Sequence, residues 1–268
     1  MIAADPLILA LLFAVALVAG ALDAIAGGGA LLTIPVLLLA GLHPLVAIAT
    51  SKAQSSFGNL SAALFFARRG FFSWRRGLAI AAVAAAFGAL GALSVSHVPR
   101  RVLVAAVPVV LVGVALYFAF GHRPSEGERR ARLPFPAFVA LAIPPLAVYD
   151  GIFGPGTGMF MMIAFVTLNG QHIVAANALT KLSNTASNVG AFLGFLATGF
   201  IEWRIAAVMI VGAVAGGQIG SHLALRHGAR IIRPVVVVFC CALAVKLLAD
   251  PANPLREAAA GLFAHRGR

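Results

Sequence analysis

Long apolar stretches alternate with short polar breaks along the chain. Apolar runs cover 7–22, 31–40, 44–67, 77–96, 102–120, 134–149, 175–198, 205–225 and 234–249; apart from 31–40, each is 16 to 24 residues long. About 20 apolar residues cross the hydrocarbon core of a bilayer. None of the runs alternates apolar and polar positions with a period of two, as a membrane barrel would. Inside lipid every backbone polar group needs an internal partner, which leaves helices. The pattern predicts an all-α fold, a polytopic bundle of transmembrane helices.

Two interruptions do not suit an apolar helix. Asp23 to Ala30 reads D-A-I-A-G-G-G-A, and Asp150 to Thr157 reads D-G-I-F-G-P-G-T. Both contain D-x-I-x-G-x-G, and the match continues downstream. Gly41, His43, Lys52, Asn59, Gly70, Phe71, Trp74, Arg75, Gly88 and Gly91 align with Gly170, His172, Lys181, Asn188, Gly199, Phe200, Trp203, Arg204, Gly217 and Gly220. The chain is therefore read as two homologous transmembrane repeats, 1–122 and 134–268. A cytoplasmic linker, 123–133, lies in the polar stretch G-H-R-P-S-E-G-E-R-R-A-R-L.

Charge sets the expected orientation, because short cytoplasmic loops carry the excess of Lys and Arg. The loop A-R-R-G-F-F-S-W-R-R has four arginines and no acid, whereas its counterpart T-G-F-I-E-W-R has one Glu and one Arg. In the next loop the bias reverses, with Arg100 and Arg101 against Arg226, Arg230 and Arg233. An inverted repeat fits this better than a parallel one, and it is a common transporter plan. Arg256, Arg266 and Arg268 fall on the outer side in that topology and argue weakly against it.

In each half a short apolar segment follows the glycine motif. Glycine opens backbone conformations closed to other residues, and Pro155 lacks an amide donor. A helix broken within the membrane, re-entrant or discontinuous, is expected at each motif. Such breaks are tolerated where backbone is buried or lines a cavity, and paired breaks in two halves point to a transporter's binding site. The helix restarting after Gly27, Gly28 and Gly29, and the one after Gly154 and Gly156, would present amide donors and a positive dipole end to an anion. Thr157 adds a hydroxyl where Ala30 stands in the first copy. Close helix packing is the plainer use of glycine. It suits Gly88, Gly91, Gly212, Gly216, Gly217 and Gly220 but does not explain a carboxylate beside each break.

Two apolar segments carry polar stripes. At helical spacing Lys52, Ser55, Ser56 and Asn59 share a face, as do Lys181, Asn184, Thr185 and Asn188. Ser51 and Thr180 align beside them, with Gln54 on the first stripe. Of three lysines and four aspartates, two of each occupy repeat-equivalent apolar positions: Lys52, Lys181, Asp23 and Asp150. A charge near the bilayer centre costs at least about 2.5–3.5 kcal/mol and marks function by default. The lysines either neutralise the aspartates, or bind an anion when released from them; the aspartates are candidates for proton coupling.

These residues resemble the TauE/SafE family of sulfite and organosulfonate exporters. The likeness rests on A-G-G-G-A-L-L-T-I-P, A-T-S-K-A-Q-S-S-F-G-N-L-S-A, D-G-I-F-G-P-G-T-G-M-F and L-T-K-L-S-N-T-A-S-N-V-G-A, and spans nearly the whole chain. It implies a carrier in the bacterial inner membrane that exports small sulfur-containing anions. The family's first glycine run is often longer; here Ala30 follows three glycines. The resemblance and the residues converge on one substrate site. The breaks at Gly27, Gly28, Gly29, Gly154, Gly156 and Thr157 would supply amides and a hydroxyl. Lys52 and Lys181 would supply charge, and Ser51, Gln54, Ser55, Asn59, Thr180, Asn184 and Asn188 hydrogen bonds.

Composition removes other classes. With 61% hydrophobic and 10% charged residues and a mean hydropathy of +1.00, the chain cannot cover itself with polar surface. The net charge of +12 sits largely in short loops, where topology and anionic lipid explain it; nucleic acid is not an expected partner. The first basic residue is Lys52, so no cleaved secretory signal is expected. Adjacent Cys240 and Cys241 offer neither a disulfide framework nor a metal spacing and suit packing. No cofactor, metal or catalytic motif is found, so an enzyme is not expected. His43 and His172 suit helix starts, and Trp74 and Trp203 suit membrane-interface anchors. The expected partners are a small anion, the bilayer and, as an open alternative, a second copy of the chain. A passive anion channel, or a carrier of a carboxylate or metal ion, would use many of the same features.

Overall fold

The computed structural model describes residues 5–71, 73–99, 101–103, 105–106, 109, 112–113, 131–227, 241 and 245. Residues 123–130 of the linker, Cys240, and Arg100, Arg230, Arg233, Arg256, Arg266 and Arg268 of the charge argument lie outside the described residues.

Helix α1, Pro6–Ala26, starts where Asp5 Oδ1 accepts the Leu7 N–H at 2.9 Å and Pro6 occupies the first turn. It stops at Gly27, whose φ of 77° places it in the left-handed region and whose N–H donates to Asp23 O at 2.7 Å. Helix α2, Gly29–Leu39, turns back along α1: a Cβ on Gly29 would lie 3.0 Å from Ala19 O, a full ten residues upstream. Near their other ends, Leu37 and Leu38 of α2 pack in one cluster with Ile8, Leu9 and Leu12 of α1. The pair is an antiparallel hairpin with its tip at Gly27–Gly28.

Helices α3, Pro44–Ala67, and α4, Trp74–Ser94, follow in this first set, then a short 3-10 turn, Val95–His97, and further helical residues at 101–103, 105–106, 109 and 112–113. The second set repeats the plan. Helix α5, Phe135–Leu141, meets α6, Ile143–Ile152, at Ala142, just before Pro144 and Pro145. Then come α7, Thr157–Thr167, α8, Ile173–Thr198, and α9, Trp203–His227. His43 and His172 are the extended residues that cap α3 and α8, and the half-exposed Trp74 and Trp203 open α4 and α9. Cys241 is exposed. Every described regular element is helical. The stretches Pro6–Ile25, Trp74–Ser94, Phe135–Ile152 and Trp203–Arg226 are long and apolar enough to cross a membrane.

Packing contacts recur between the sets. Helix α1 lies on α9 and α6 lies on α4, and likewise α3 on α9 and α8 on α4. The recurrence reaches single residues. A Cβ on Gly220 would sit 2.3 Å from Ala21 O, and one on Gly91 2.4 Å from Val148 O, its repeat equivalent. Gly217 against Gly58 O and Gly88 against Ser187 O form a second equivalent pair, at 2.7 and 2.3 Å. Backbones this close leave no room for a methyl group, which is the small-residue packing expected at these positions.

The centre of the molecule is α3 against α8, and these run antiparallel. Phe66, near the end of α3, clusters with Ala178, near the start of α8. At the opposite ends the Glu202 N–H, just beyond α8, donates to Thr50 Oγ1 at 3.1 Å. Both polar stripes lie at this contact.

Candidate functional site

Lys52 and Lys181 are 1% and 0% exposed and rank among the largest fully buried side chains. Each reaches across to the hairpin of the other half. Lys52, from α3, donates from Nζ to Asp150 Oδ1 at 2.7 Å, on the last turns of α6, and to Asn188 Oδ1 at 3.1 Å, on α8. Ser187 donates its hydroxyl to the other carboxylate oxygen of Asp150. Asn188 Nδ2 in turn donates to Asn184 O at 2.7 Å and to Asn184 Oδ1 at 2.9 Å. Lys181 of α8 reaches the first hairpin but donates to the main-chain carbonyl of Asp23, not to its carboxylate. The sequence leaves open how the lysines meet the aspartates; the contacts cross between halves and differ in kind.

The hairpin tips sit against these lysines. Gly154 has φ +95°, and a Cβ there would lie 2.5 Å from Lys52 Nζ and 3.3 Å from Asp150 Oδ1. Glycine is required twice over: for the left-handed backbone and for the ammonium beside it. Tyr149 donates its hydroxyl to Pro155 O at 2.7 Å and so ties the second tip to the end of α6. The two tips touch, since a Cβ on Gly27 would fall 2.5 Å from Gly158 Cα. Helices α2 and α7 begin after Gly28 and Gly156 with no side chain capping their first amides, and Gly27, Gly28, Gly29, Gly154 and Gly156 are all buried. Amides of a first helical turn have no i−4 partner within their own helix; here those of Leu31, Thr157 and Met159 donate instead to Gly28 O, Gly154 O and Gly156 O, at 3.1, 3.1 and 3.0 Å. Thr157 spends its hydroxyl hydrogen on Gly154 O at 2.8 Å, so it strengthens the tip and keeps only lone pairs for a ligand.

The stripes are buried as their inward face requires, but their members are not equivalent. Ser56 and Thr185 return their hydroxyls to the carbonyls of Lys52 and Lys181, at 2.7 and 2.6 Å, and are spent within their helices. Ser51 shares a 2.8 Å hydrogen bond with Thr33 of α2. By contrast Gln54 Oε1, Ser55 Oγ, both side-chain polar atoms of Asn59, and Thr180 Oγ1 are buried with no hydrogen-bond partner among the described residues. Leaving such a group unpaired costs about 1–3 kcal/mol. The expense is concentrated on the first stripe. Asn59 is wholly unpaired where its equivalent, Asn188, is saturated.

The candidate site residues thus lie on α3, on α8, or at the two tips and the helix turns just before them. Four further residues belong to the same region. Ser187 escaped notice because its equivalent is Gly58, so the repeat gave no signal. Thr33 is a single hydroxyl in an apolar run, Tyr149 looks like an ordinary aromatic, and Asn177, with Oδ1 unpaired, extends the stripe one turn before Lys181 but has the apolar Ile48 as its equivalent. No group of three or more His, Cys, Asp or Glu able to hold a metal occurs among the described residues.

The fold and seam define a multi-helix membrane protein with a charged, polar interior. Over residues 12–247 the chain matches the family described as "Sulfite exporter TauE/SafE". It is 44% identical over 249 residues to "Probable membrane transporter protein ORF9" of Sinorhizobium sp, covering 93% of this chain and 95% of that one. It is 39% identical over 246 residues to "Probable membrane transporter protein YfcA" of Escherichia coli (strain K12), covering 92% and 91%. A "Probable membrane transporter protein" of Haemophilus influenzae is 37% identical over 243 residues, covering 91% and 95%. No solved structure matches the chain. The protein belongs to the TauE/SafE family of membrane transporters.

Proposed function

We propose that the protein is a secondary transporter that carries small sulfur-containing anions, such as sulfite or an organosulfonate, outward across the bacterial inner membrane. The observation that carries this reading is the group of unpaired buried donors, Ser55 Oγ, Asn59 Nδ2 and Thr180 Oγ1, on the helices that bear Lys52 and Lys181. The tetrahedral or pyramidal oxyanion of such a substrate accepts several hydrogen bonds at once. Amide groups at the starts of α2 and α7 add donors and favourable dipole ends. Ser51, Asn184 and Asn188 complete the polar shell. Export needs no special device for an anion: an inside-negative potential of 100 mV favours outward movement of one negative charge by about 2.3 kcal/mol.

The transport reading further takes the chain as an inverted repeat, 1–122 and 134–268 joined by a cytoplasmic 123–133. The antiparallel run of α3 and α8, which are equivalent helices, supports it, as does the exchange of equivalent contacts between halves. Each hairpin tip, at Gly27–Gly29 and Gly154–Gly156, then enters the site from its own side as a broken segment. Rocking of one half against the other passes the anion across. Asp23 and Asp150 are the groups whose protonation would couple the movement to protons.

A thermal-shift screen of purified protein tests the substrate class, because a ligand that binds only the folded state raises its stability. Sulfite or a short sulfonate is expected to raise Tm more than equal concentrations of acetate, chloride or a divalent metal. Stabilisation by the metal or the carboxylate alone would sink the assignment.

A further inference from the structure

A second feature lies on the outer flank of the bundle, away from the lysines. Helices α3 and α9 run side by side in the same direction: Gly58 meets Ala213, Ser61 meets Val214 and Gln218, and Phe65 meets His222. Between them runs an open cleft of about 430 Å³. Its floor and walls are apolar along most of its length, with Phe57, Leu60 and Leu64 each about two-fifths exposed. Its last turn changes character. Arg68 and Arg69 line it, and so does His222 from α9. The Arg69 guanidinium carbon stacks 3.7 Å above the Phe65 ring, and His222 packs edge-on against the same ring at 4.6 Å. Among the described residues neither arginine pairs with an acid, and no acidic side chain lines the cleft.

We propose that this cleft binds one anionic glycerophospholipid of the cytoplasmic leaflet, with its phosphate on Arg68 and Arg69 and an acyl chain along Phe57, Leu60 and Leu64. Length fits the occupant. Eleven residues separate Phe57 from Arg68, which at about 1.5 Å each gives about 16 Å. Half the hydrocarbon core of a bilayer is about 15 Å. With the arginines at headgroup level, Phe57 reaches the midplane, where its chain neighbours Ser55, Ser56 and Asn59 turn inward to the polar seam. Charge fits too. The same end of the bundle carries Arg75 and Arg76 after the loop and Arg226 one turn beyond His222, all exposed. Clustered Lys and Arg at the cytoplasmic surface attract anionic lipid. A guanidinium held flat on an aromatic ring is already oriented for phosphate oxygens.

The test uses the full chain in a neutral detergent, with dioleoylphosphatidylglycerol, dioleoylphosphatidylcholine or inorganic phosphate added at matched concentrations. Phosphatidylglycerol is expected to raise Tm by several degrees more than phosphatidylcholine, and inorganic phosphate to leave it unchanged. In Arg68→Gln/Arg69→Gln the two lipids should become equivalent, with the lipid-free Tm near that of the wild type. Leu60→Trp, which fills the cleft without touching the charges, should weaken the phosphatidylglycerol shift; it serves as the second probe should the arginine variant fail to fold. The proposal is overturned by equal shifts with both lipids, by an equal shift with inorganic phosphate, or by a phosphatidylglycerol preference that survives both variants. It is equally overturned if crosslinking at Leu64→Cys shows the cleft covered by a second copy of the chain when phosphatidylglycerol is present.

Discussion

Replacing Lys52 with alanine removes the partner that holds Asp150 Oδ1 at 2.7 Å, in a place where neither side chain is more than 2% exposed. Ser187 still donates to the carboxylate, but one hydroxyl cannot replace an ammonium, and Asn188 Oδ1 loses its donor as well. Breaking a buried pair from one side typically costs about 3–5 kcal/mol, because the remaining charge is stranded. Asp150→Ala should cost a similar amount by stranding the lysine. Lys52→Ala/Asp150→Ala removes both charges and leaves only the loss of packing. It should be no less stable than either single variant, giving a coupling energy of about 3 kcal/mol. The Lys181–Asp23 cycle should behave differently. Lys181 donates to the main-chain carbonyl of Asp23, which alanine retains, so coupling there should stay near 1 kcal/mol. Equilibrium unfolding of the purified variants in mixed micelles reads both cycles. Equal coupling in the two pairs, or coupling below about 1 kcal/mol for Lys52 and Asp150, would refute the crossed and unequal pairing described above.

Other consequences can be checked on the same preparations. Gly154→Ala meets both a φ of +95° and the Lys52 ammonium, and should lower stability by more than 2 kcal/mol. Gly70→Ala, at φ +72° with open space around it, should lose only about 1–2 kcal/mol by the same thermal assay. Gly216→Val pushes a side chain into Leu17 O, 1.9 Å from where its Cβ would stand, and should disrupt the α1–α9 contact enough to abolish a folded species on size-exclusion chromatography. Asn59→Ala should leave the ligand-free Tm unchanged or raise it, since both polar atoms are unpaired, while weakening the sulfite-induced shift at least tenfold in concentration. Asn188→Ala should instead lower the ligand-free Tm, because Lys52 and Asn184 both lose a partner.

Much of this arrangement is written in the chain, and the reason is the repeat. A polar residue in an apolar run is ambiguous when it occurs once. Lys52 and Lys181, or Asn59 and Asn188, are not, because each appears again at the equivalent place. The glycines of the tips are legible for the same reason, and those of the α1–α9 and α4–α6 contacts through their spacing. What duplication does not mark stays hidden. Ser187 faces Asp150 opposite a glycine in the other half, and Thr33 bonds Ser51 with no repeated hydroxyl to announce it. Pairing across the halves is also invisible to periodicity, which places residues on a face but does not say what stands opposite. At Thr157 the hydroxyl joins the backbone N–H in donating to Gly154 O, a bond within the tip that no pattern in the chain announces. The difference between Asn188, saturated, and Asn59, open, depends on tertiary contacts, and no alignment of the halves would reveal it.

Proteoliposomes loaded with sulfite and diluted into sulfite-free buffer would test the anion site most directly. Efflux should saturate with internal concentration in the wild type and fall at least tenfold in Lys181→Ala. Efflux from Lys181→Ala at the wild-type rate, or a wild-type rate that rises without limit as sulfite is increased, would contradict a carrier whose buried lysines hold its cargo.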